Sequence, residues 1–271
     1  MKIQVFKPIK LPLLLLITIV FCSITSCFVV NPTDNANNND FSAEESFSYN
    51  VPVNNQNRLV LEAINSPVQI TGEAGLTTVK IWGERIVKSD SQEDADKHLT
   101  YLDVVVNNRD DEVHITTEQP SESNGRNYQV NYNIVLPIDW EIVVGNINGK
   151  IVVETLRGDV KIHLVNGDIQ ISELYGNLAV AITNGNLDAQ MTLLPNGTCI
   201  ANSVNGQIGL RIPNNTSAEL SAGVTNGSVS VNNLELQNLT STRTSIKGKL
   251  GDGQGTIVLG TVNGIISVTG F

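Results

Sequence analysis

Aromatic residues are scarce: six Phe, five Tyr and two Trp make up 5% of the 271 residues. A core built mainly on rings is therefore excluded, and aliphatic side chains must supply the burial. Charged residues amount to only 16%, and the shortage is on the basic side, with 17 Lys and Arg against 27 Asp and Glu and a formal charge of −10. Residues 1–26 hold three of the lysines and no acid, so the rest of the chain carries an excess of 13 negative charges. Such a surface repels phosphate backbones, and no nucleic-acid partner is expected. Histidine is rare too: His98, His114 and His163 fall in separate segments without metal-ligand spacing. There is no nucleophile elbow, no phosphate-cradling loop and no CxxC pair. No catalytic residue, cofactor or metal is expected.

The one long apolar run lies at the N-terminus. Lys2, Lys7 and Lys10 precede "LPLLLLITIVFCSITSC", which ends in small residues as a targeting signal does. Leu11 to Val30 is nearly long enough to span a bilayer, but Ser23, Thr25, Ser26 and two cysteines interrupt it. Its end, "ITSC", resembles a bacterial lipobox. That resemblance implies a lipoprotein signal peptide over 1–26 and lipidation of Cys27 as the mature N-terminus. It also implies a chain held by its lipid to a membrane of the bacterial cell envelope, at the outer membrane or cell surface. An uncleaved signal anchor and a simply secreted chain are the alternatives. Removal of Cys22 with the signal would leave Cys199 as the lone free thiol, unable to form an internal disulfide. The polar "NPTDNANNND" that follows cannot bury a core, and residues 27–46 are expected to be a disordered tether.

What the chain has in abundance is Asn, Gly, Val, Ile and Thr, a composition that favours β structure with tight turns. A β-rich part is expected over 47–138, with strands in "FSYNVPV", "RLVLEAI", "VQITG" and "TVKIWGERIV". It holds one short helix, in Ser89 to Leu102, where Ser or Asp can cap and acids crowd the first turn. From Asp139 the chain repeats. Asn-Gly recurs at Asn148-Gly149, Asn166-Gly167, Asn184-Gly185, Asn205-Gly206, Asn226-Gly227 and Asn263-Gly264, at intervals of 18, 18, 21, 21 and 37 residues. Two positions past each glycine stands an aliphatic residue: Ile151, Ile169, Leu187, Ile208, Val229, Ile266. Seven positions before lie Val160, Leu178, Cys199, Leu220 and Ile257. Both sets continue with period two, so each repeat predicts two strands with one buried face.

Spacing alone fits either an antiparallel meander with hairpin turns or a β-solenoid with two strands per coil. The three-residue expansions, in "TLLPNG" and "IPNNTS", lengthen one corner at a time, which favours a solenoid. Between Gly227 and Gly255 the register blurs, and the number of coils there is open. In a stack, Asn148, Asn166, Asn184, Asn205 and Asn226 would lie above one another and form an amide ladder, with Gly supplying positive φ beside each.

The motifs "VNGDIQI", "TNGNLDA", "VNGQIGL" and the closing "GDGQGTIVLGTVNGIISVTG" resemble the bacterial putative-adhesin family, a domain-of-unknown-function family of envelope proteins similar to auto-transporter adhesin head domains. The likeness covers roughly Val60 to Phe271 and includes "AINSPVQITG", where Asn65-Ser66 takes the Asn-Gly slot. It implies an all-β, single-stranded β-solenoid (β-helix-like) with coils of 18–21 residues over 139–271, continuous with 47–138 as one domain. It also implies a non-enzymatic, adhesin-like surface facing an envelope protein or a glycan.

Rival readings rest on weaker signals. Cys199 shares its slot with aliphatic residues and is expected to be a small buried hydrophobe rather than a nucleophile. "RGD" at Arg157 to Asp159 occupies the same half-turn as "YGN" at Tyr175 to Asn177, so turn chemistry accounts for it. "DSQEDAD" near Asp90 lacks the glycine and closing glutamate of a Ca²⁺ loop. A polysaccharide-active enzyme would need convergent acids, and Glu154, Asp159, Asp168, Glu173 and Asp188 are scattered over several turn offsets. Envelope-stress sensing through a protein partner is a further alternative. The apolar "GIISVTGF" at the C-terminus suggests an open end suited to pairing between copies.

Overall fold

The computed structural model describes residues 39–271. Cys27, the signal over 1–26 and most of the expected tether lie outside the described residues. The order is β1 (Phe41–Pro52), β2 (Arg58–Asn65), β3 (Val68–Glu73), β4 (Thr78–Ser89), α1 (Gln92–Leu99), β5 (Asp103–Asn108), β6 (Glu112–Glu118) and β7 (Asn127–Pro137). Then follow β8 (Glu141–Asn148), β9 (Ile151–Leu156), β10 (Val160–Asn166), β11 (Ile169–Tyr175), β12 (Leu178–Asn184), β13 (Leu187–Thr192), β14 (Thr198–Asn205) and β15 (Ile208–Ile212). The last four are β16 (Ala218–Asn232), β17 (Leu236–Ser241), β18 (Ser245–Leu250) and β19 (Gly255–Gly270). The protein is all-β apart from one helix among the described residues, and its architecture is β-solenoid-like.

The strands form two parallel ladders. One runs β6-β2-β8-β10-β12-β14-β19-β16, the other β7-β3-β9-β11-β13-β15-β19-β16. The long strands β16 and β19 pass through a corner and serve both. Partners such as Ile162 and Val180, or Ile169 and Leu187, stand one repeat apart in parallel register, which rules out the meander. Between the ladders lies one aliphatic interior. Ile151, Ile169, Leu187, Ile208 and Ile266 are at most 2% exposed, as are Val160, Leu178, Cys199, Leu220 and Ile257 on the facing ladder. Full burial of each Ile, Leu or Val contributes about 1.5–3 kcal/mol, so an aromatic-poor stack is held by repetition rather than by a few large rings.

At the corners, Gly185 has φ +144° and Gly227 φ +150°. A Cβ on Gly185 would sit 1.8 Å from the Gly167 carbonyl oxygen, and one on Gly227 would sit 1.7 Å from that of Gly264. The glycines are thus demanded both by backbone conformation and by the close approach of the neighbouring coil.

Four features depart from the sequence expectation. Strand β1 starts at Phe41, so residues 41–46 are strand rather than tether; "FSAEES" reads as polar because β1 is an edge that pairs only with β4. The helix is shorter than Ser89 to Leu102, and its cap is Ser91, whose Oγ accepts the Asp94 N–H at 3.2 Å. The stretch with blurred register is neither one coil nor two. It is an antiparallel hairpin, β17–β18, whose second strand covers the first half of β16. Finally, the C-terminal strand is not at an open end: β19 lies between β14–β15 and β16, so "GIISVTGF" is an interior layer.

The N-terminal strands close the other end. Coil β2–β3 stacks directly on β8–β9, and the intervening segment returns as β6 and β7 on its far side. Antiparallel β5 then extends the first ladder, and β4 followed by β1 extends the second.

Candidate functional site

Each Asn of the corner repeat donates an amide hydrogen bond to the one beneath it. Asn148 donates to Asn65 (2.6 Å), Asn166 to Asn148 (2.8 Å), Asn184 to Asn166 (2.9 Å) and Asn205 to Asn184 (2.8 Å). Asn263 then donates to Asn205 (2.8 Å), and Asn226 to Asn263 (2.8 Å). Asn65 closes the series on the Tyr128 carbonyl at 3.0 Å. The order along the ladder is spatial rather than sequential, since Asn263 precedes Asn226. Asn65 belongs to it although Ser66 replaces the glycine.

Two shorter ladders absorb the acids that an enzyme would need. Asp159 Oδ1 accepts both the backbone and side-chain N–H of Asn177, and Asn177 Oδ1 accepts the Thr198 N–H at 2.7 Å. Asp168 Oδ1 accepts the same pair from Asn186, whose Oδ1 accepts the Gln207 N–H at 2.9 Å. Glu173 accepts from Thr155 Oγ1 at 3.0 Å, and Asp188 faces Arg211 at 3.4 Å. Glu154 faces Gln69 Nε2 at 3.5 Å. These five acids lie at different corners and faces, braced to neighbouring coils, and do not converge on one groove. The Gly158 of "RGD" supports a backbone crossing, where a Cβ would lie 2.1 Å from the Trp140 carbonyl oxygen. Cys199 is fully buried, and burial pushes its thiol up to about 12, far from thiolate chemistry. His163 is exposed on the outer face beside buried Ile162. Among the described residues no three His, Cys, Asp or Glu converge as a metal cluster, and no helix is long and apolar enough to cross a membrane.

What the stack offers is two outer faces. On the first ladder the solvent side is mixed: one transverse row runs Val143, Lys161, Ala179, Ile200 and Val258, and another Gly145, His163, Ala181, Asn202 and Gly260. On the second ladder the solvent side is polar. One row runs Ser48, Trp82, Asn133, Gln69, Val152, Gln170 and Asp188 across successive strands. Strands lie about 4.8 Å apart, so such a row is a rigid line of evenly spaced side chains. Sequence reasoning missed Trp82. Its signal was an indole at the outward position of an alternating strand, "KIWGE".

Two ionic knots hold the N-terminal end. Glu112, 6% exposed, accepts from Arg58 Nη2 at 2.5 Å and Arg109 Nη1 at 2.7 Å, with His114 Nδ1 at 3.2 Å. Hydrogen bonding to Arg58 holds the Glu112 carboxyl below its ordinary range. Asp94 accepts from Arg126 through both oxygens, at 2.5 and 2.8 Å, and from the Ser89 hydroxyl; these bonds, Arg126 first, hold it far below the usual 3.8. Nearby, His98 Nδ1 meets the Tyr128 hydroxyl at 2.6 Å, and burial lowers the His98 pKa below 6.5, with the Arg126 charge adding to it.

This sets a pH dependence. The unfolded chain protonates His98 near 6.5 while the folded one resists, so stability is full above that value and falls as pH drops through the folded pKa. Asp94 acts in the same direction at lower pH, its contribution present above 3.8 and lost as pH falls. Thermal midpoints should therefore decline from about pH 7 towards pH 5. His98→Gln should flatten that decline, and an unchanged slope in this variant would exclude His98 as its source.

Fold and faces together define a class: a β-solenoid-like stack braced by amide ladders. Within it, residues 148–269 match the family model described as Toastrack DUF4097. The chain is similar to the solved structure of a putative cell adhesion protein from Clostridium sporogenes, at 13% identity and a TM-score of 0.47, covering 84% of this chain and 100% of that one. Structures of putative adhesins from Bacteroides fragilis (10% identity, TM-score 0.31) and Parabacteroides merdae (11%, 0.31) each cover 84% of this chain, and 99% and 96% of their own. Among curated proteins, none matches the chain.

Proposed function

We propose that this chain is a non-enzymatic lipoprotein of the bacterial cell envelope whose β-solenoid presents a rigid contact surface. In this reading Cys27 carries the lipid that holds it to the outer membrane or cell surface. The segment after Cys27, up to the start of β1, spaces the stack from the membrane. The coils of 18–21 residues then face an envelope protein or a glycan. The observation that carries the reading is the in-register polar row across the second ladder, from Ser48 to Asp188. A row fixed by backbone pairing loses little backbone entropy on binding, so modest contacts can add up along it. The acids that glycan cleavage would need are instead braced within the stack.

Two measurements test this. Wild-type chain should partition into the membrane fraction and incorporate radiolabelled palmitate, and Cys27→Ala should abolish incorporation. Cells lacking the protein should lose attachment or aggregation that wild-type cells show, and the Cys27→Ala chain should not restore it. Attachment unaffected by the deletion would overturn the contact-surface reading.

A further inference from the structure

The chain has two tryptophans, and they are used differently. Trp140 is buried at 5% exposure, whereas Trp82 stands 41% exposed in β4, which is flanked by strands on both sides. Beside Trp82 is a depression of about 540 Å³, lined by Ser46, Phe47, Ser48, Gly83, Glu84, Asn131 and Asn133. Gly83, next to Trp82 in β4, has its absent side chain on the opposite face, where a Cβ would lie 1.7 Å from the Asn131 carbonyl oxygen and 3.0 Å from the Phe47 ring, so it permits close strand packing beneath the depression. Ser48 and Asn133 are the direct cross-strand partners of Trp82, and Gln69 is the next residue along the row. Gln129 donates to Asn131 Oδ1 at 2.7 Å, which fixes that amide and leaves its NH₂ to donate.

An indole face and neutral planar amides within one strand spacing match the two sides of a pyranose. The C–H face of the ring stacks on the π-system, and the equatorial hydroxyls need groups that both donate and accept, as amides do. A protein hot spot would surround the tryptophan with apolar, Tyr or Arg neighbours, and Ser is depleted there. A chain of net charge −10, with Glu84 in the depression, disfavours uronates and sulfated sugars. We propose that this depression is a carbohydrate subsite for a neutral β-linked glycan, with a ring stacked on Trp82 and hydroxyls bound by Ser48, Asn131 and Asn133. Gln69 serves the adjoining ring, because such a glycan advances per ring by roughly one strand spacing, about 4.8 Å. The proposal deepens the contact-surface reading and rests on it.

The test uses the full chain in detergent, titrated with cellotetraose, laminaritetraose and chitotetraose, with tetragalacturonate as the acidic contrast. Saturation-transfer NMR reports binding without depending on the indole itself. At least one neutral tetrasaccharide should bind saturably, with a Kd in the range of roughly 0.1–5 mM, and tetragalacturonate more weakly. Trp82→Ala should abolish binding, Trp82→Phe should retain part of it, and Asn133→Ala should weaken it about tenfold. Asn133→Ala decides the matter should Trp82→Ala fail to fold, as judged by its circular dichroism. No saturable binding of any neutral tetrasaccharide up to roughly 20 mM would overturn the subsite, as would undiminished binding in the Asn133→Ala or Trp82→Ala chain. Failure of the subsite alone leaves the loss of attachment in cells lacking the protein in place, whereas failure of the contact-surface reading means that those cells attach as wild type does.

Discussion

Gly185→Ala is expected to destabilise the folded chain by more than about 4 kcal/mol, enough to leave it largely unfolded. Two effects combine. The backbone at this corner has φ +144°, where an L side chain costs roughly 1–3 kcal/mol. The new Cβ would also fall 1.8 Å from the Gly167 carbonyl oxygen, an atom of rigid backbone that can yield only if the two coils separate. Separation would break the Gly167–Asn184 and Ile169–Asn186 backbone bonds and the Asn184–Asn166 rung of the amide ladder with them. Gly75→Ala isolates the first effect: Gly75 has φ +75° but nothing within 4 Å, so its cost should be about 1–2 kcal/mol. Equilibrium denaturation of both variants checks this, and equal losses would show that coil-to-coil contact at the corner is not what selects glycine.

Ending the chain after Gly253 should have an even larger effect, because it deletes an internal layer. Strand β19 contributes Ile257, Leu259, Ile266 and Val268 to the interior, each at most 2% exposed. At about 1.5–3 kcal/mol for each, the loss is of order 6–12 kcal/mol, similar to the whole stability of a typical domain. The shortened chain should show an unfolded-like far-UV spectrum or a midpoint lowered by tens of degrees. A control ending after Gly270 removes the exposed Phe271 and its two backbone bonds to Ile212 and Asn214, leaves the interior intact and should lower the midpoint far less. A native midpoint in the chain ending at Gly253 would mean that β16 can take the vacant place at full strength, since Asn226 and Asn263 share one register.

That shared register also explains what could and could not be read from the residues. The corner period was legible because every coil needs glycine at the same place and aliphatic residues at the same offsets from it, so Ile169, Leu187 and Ile208 were identifiable as interior. Cys199 followed from its slot alone. The order of coils was not legible: Asn226-Gly227 and Asn263-Gly264 present identical local chemistry, and nothing local tells which lies next to Asn205. The hairpin β17–β18 escaped because its exposed strand β17 carries a register shift between Gln237 and Thr240. Trp82 escaped for a different reason. A site made from one outward residue on each of several strands has no sequence motif, only a transverse neighbourhood that pairing creates.

Placing the last strand inside the stack also constrains how the protein can be made. As the polypeptide emerges from its N-terminus, coils up to β15 can zip one upon another, but the layer that belongs next to them is synthesised only after β16, β17 and β18. Until it arrives, β14 and β15 expose an unpaired edge, and β16 is a near-equivalent impostor for the gap. Maturation thus has a built-in checkpoint: a chain cut short in transit, or docked prematurely on β16, holds an unfilled berth and unpaired strand edges that quality-control proteases can recognise.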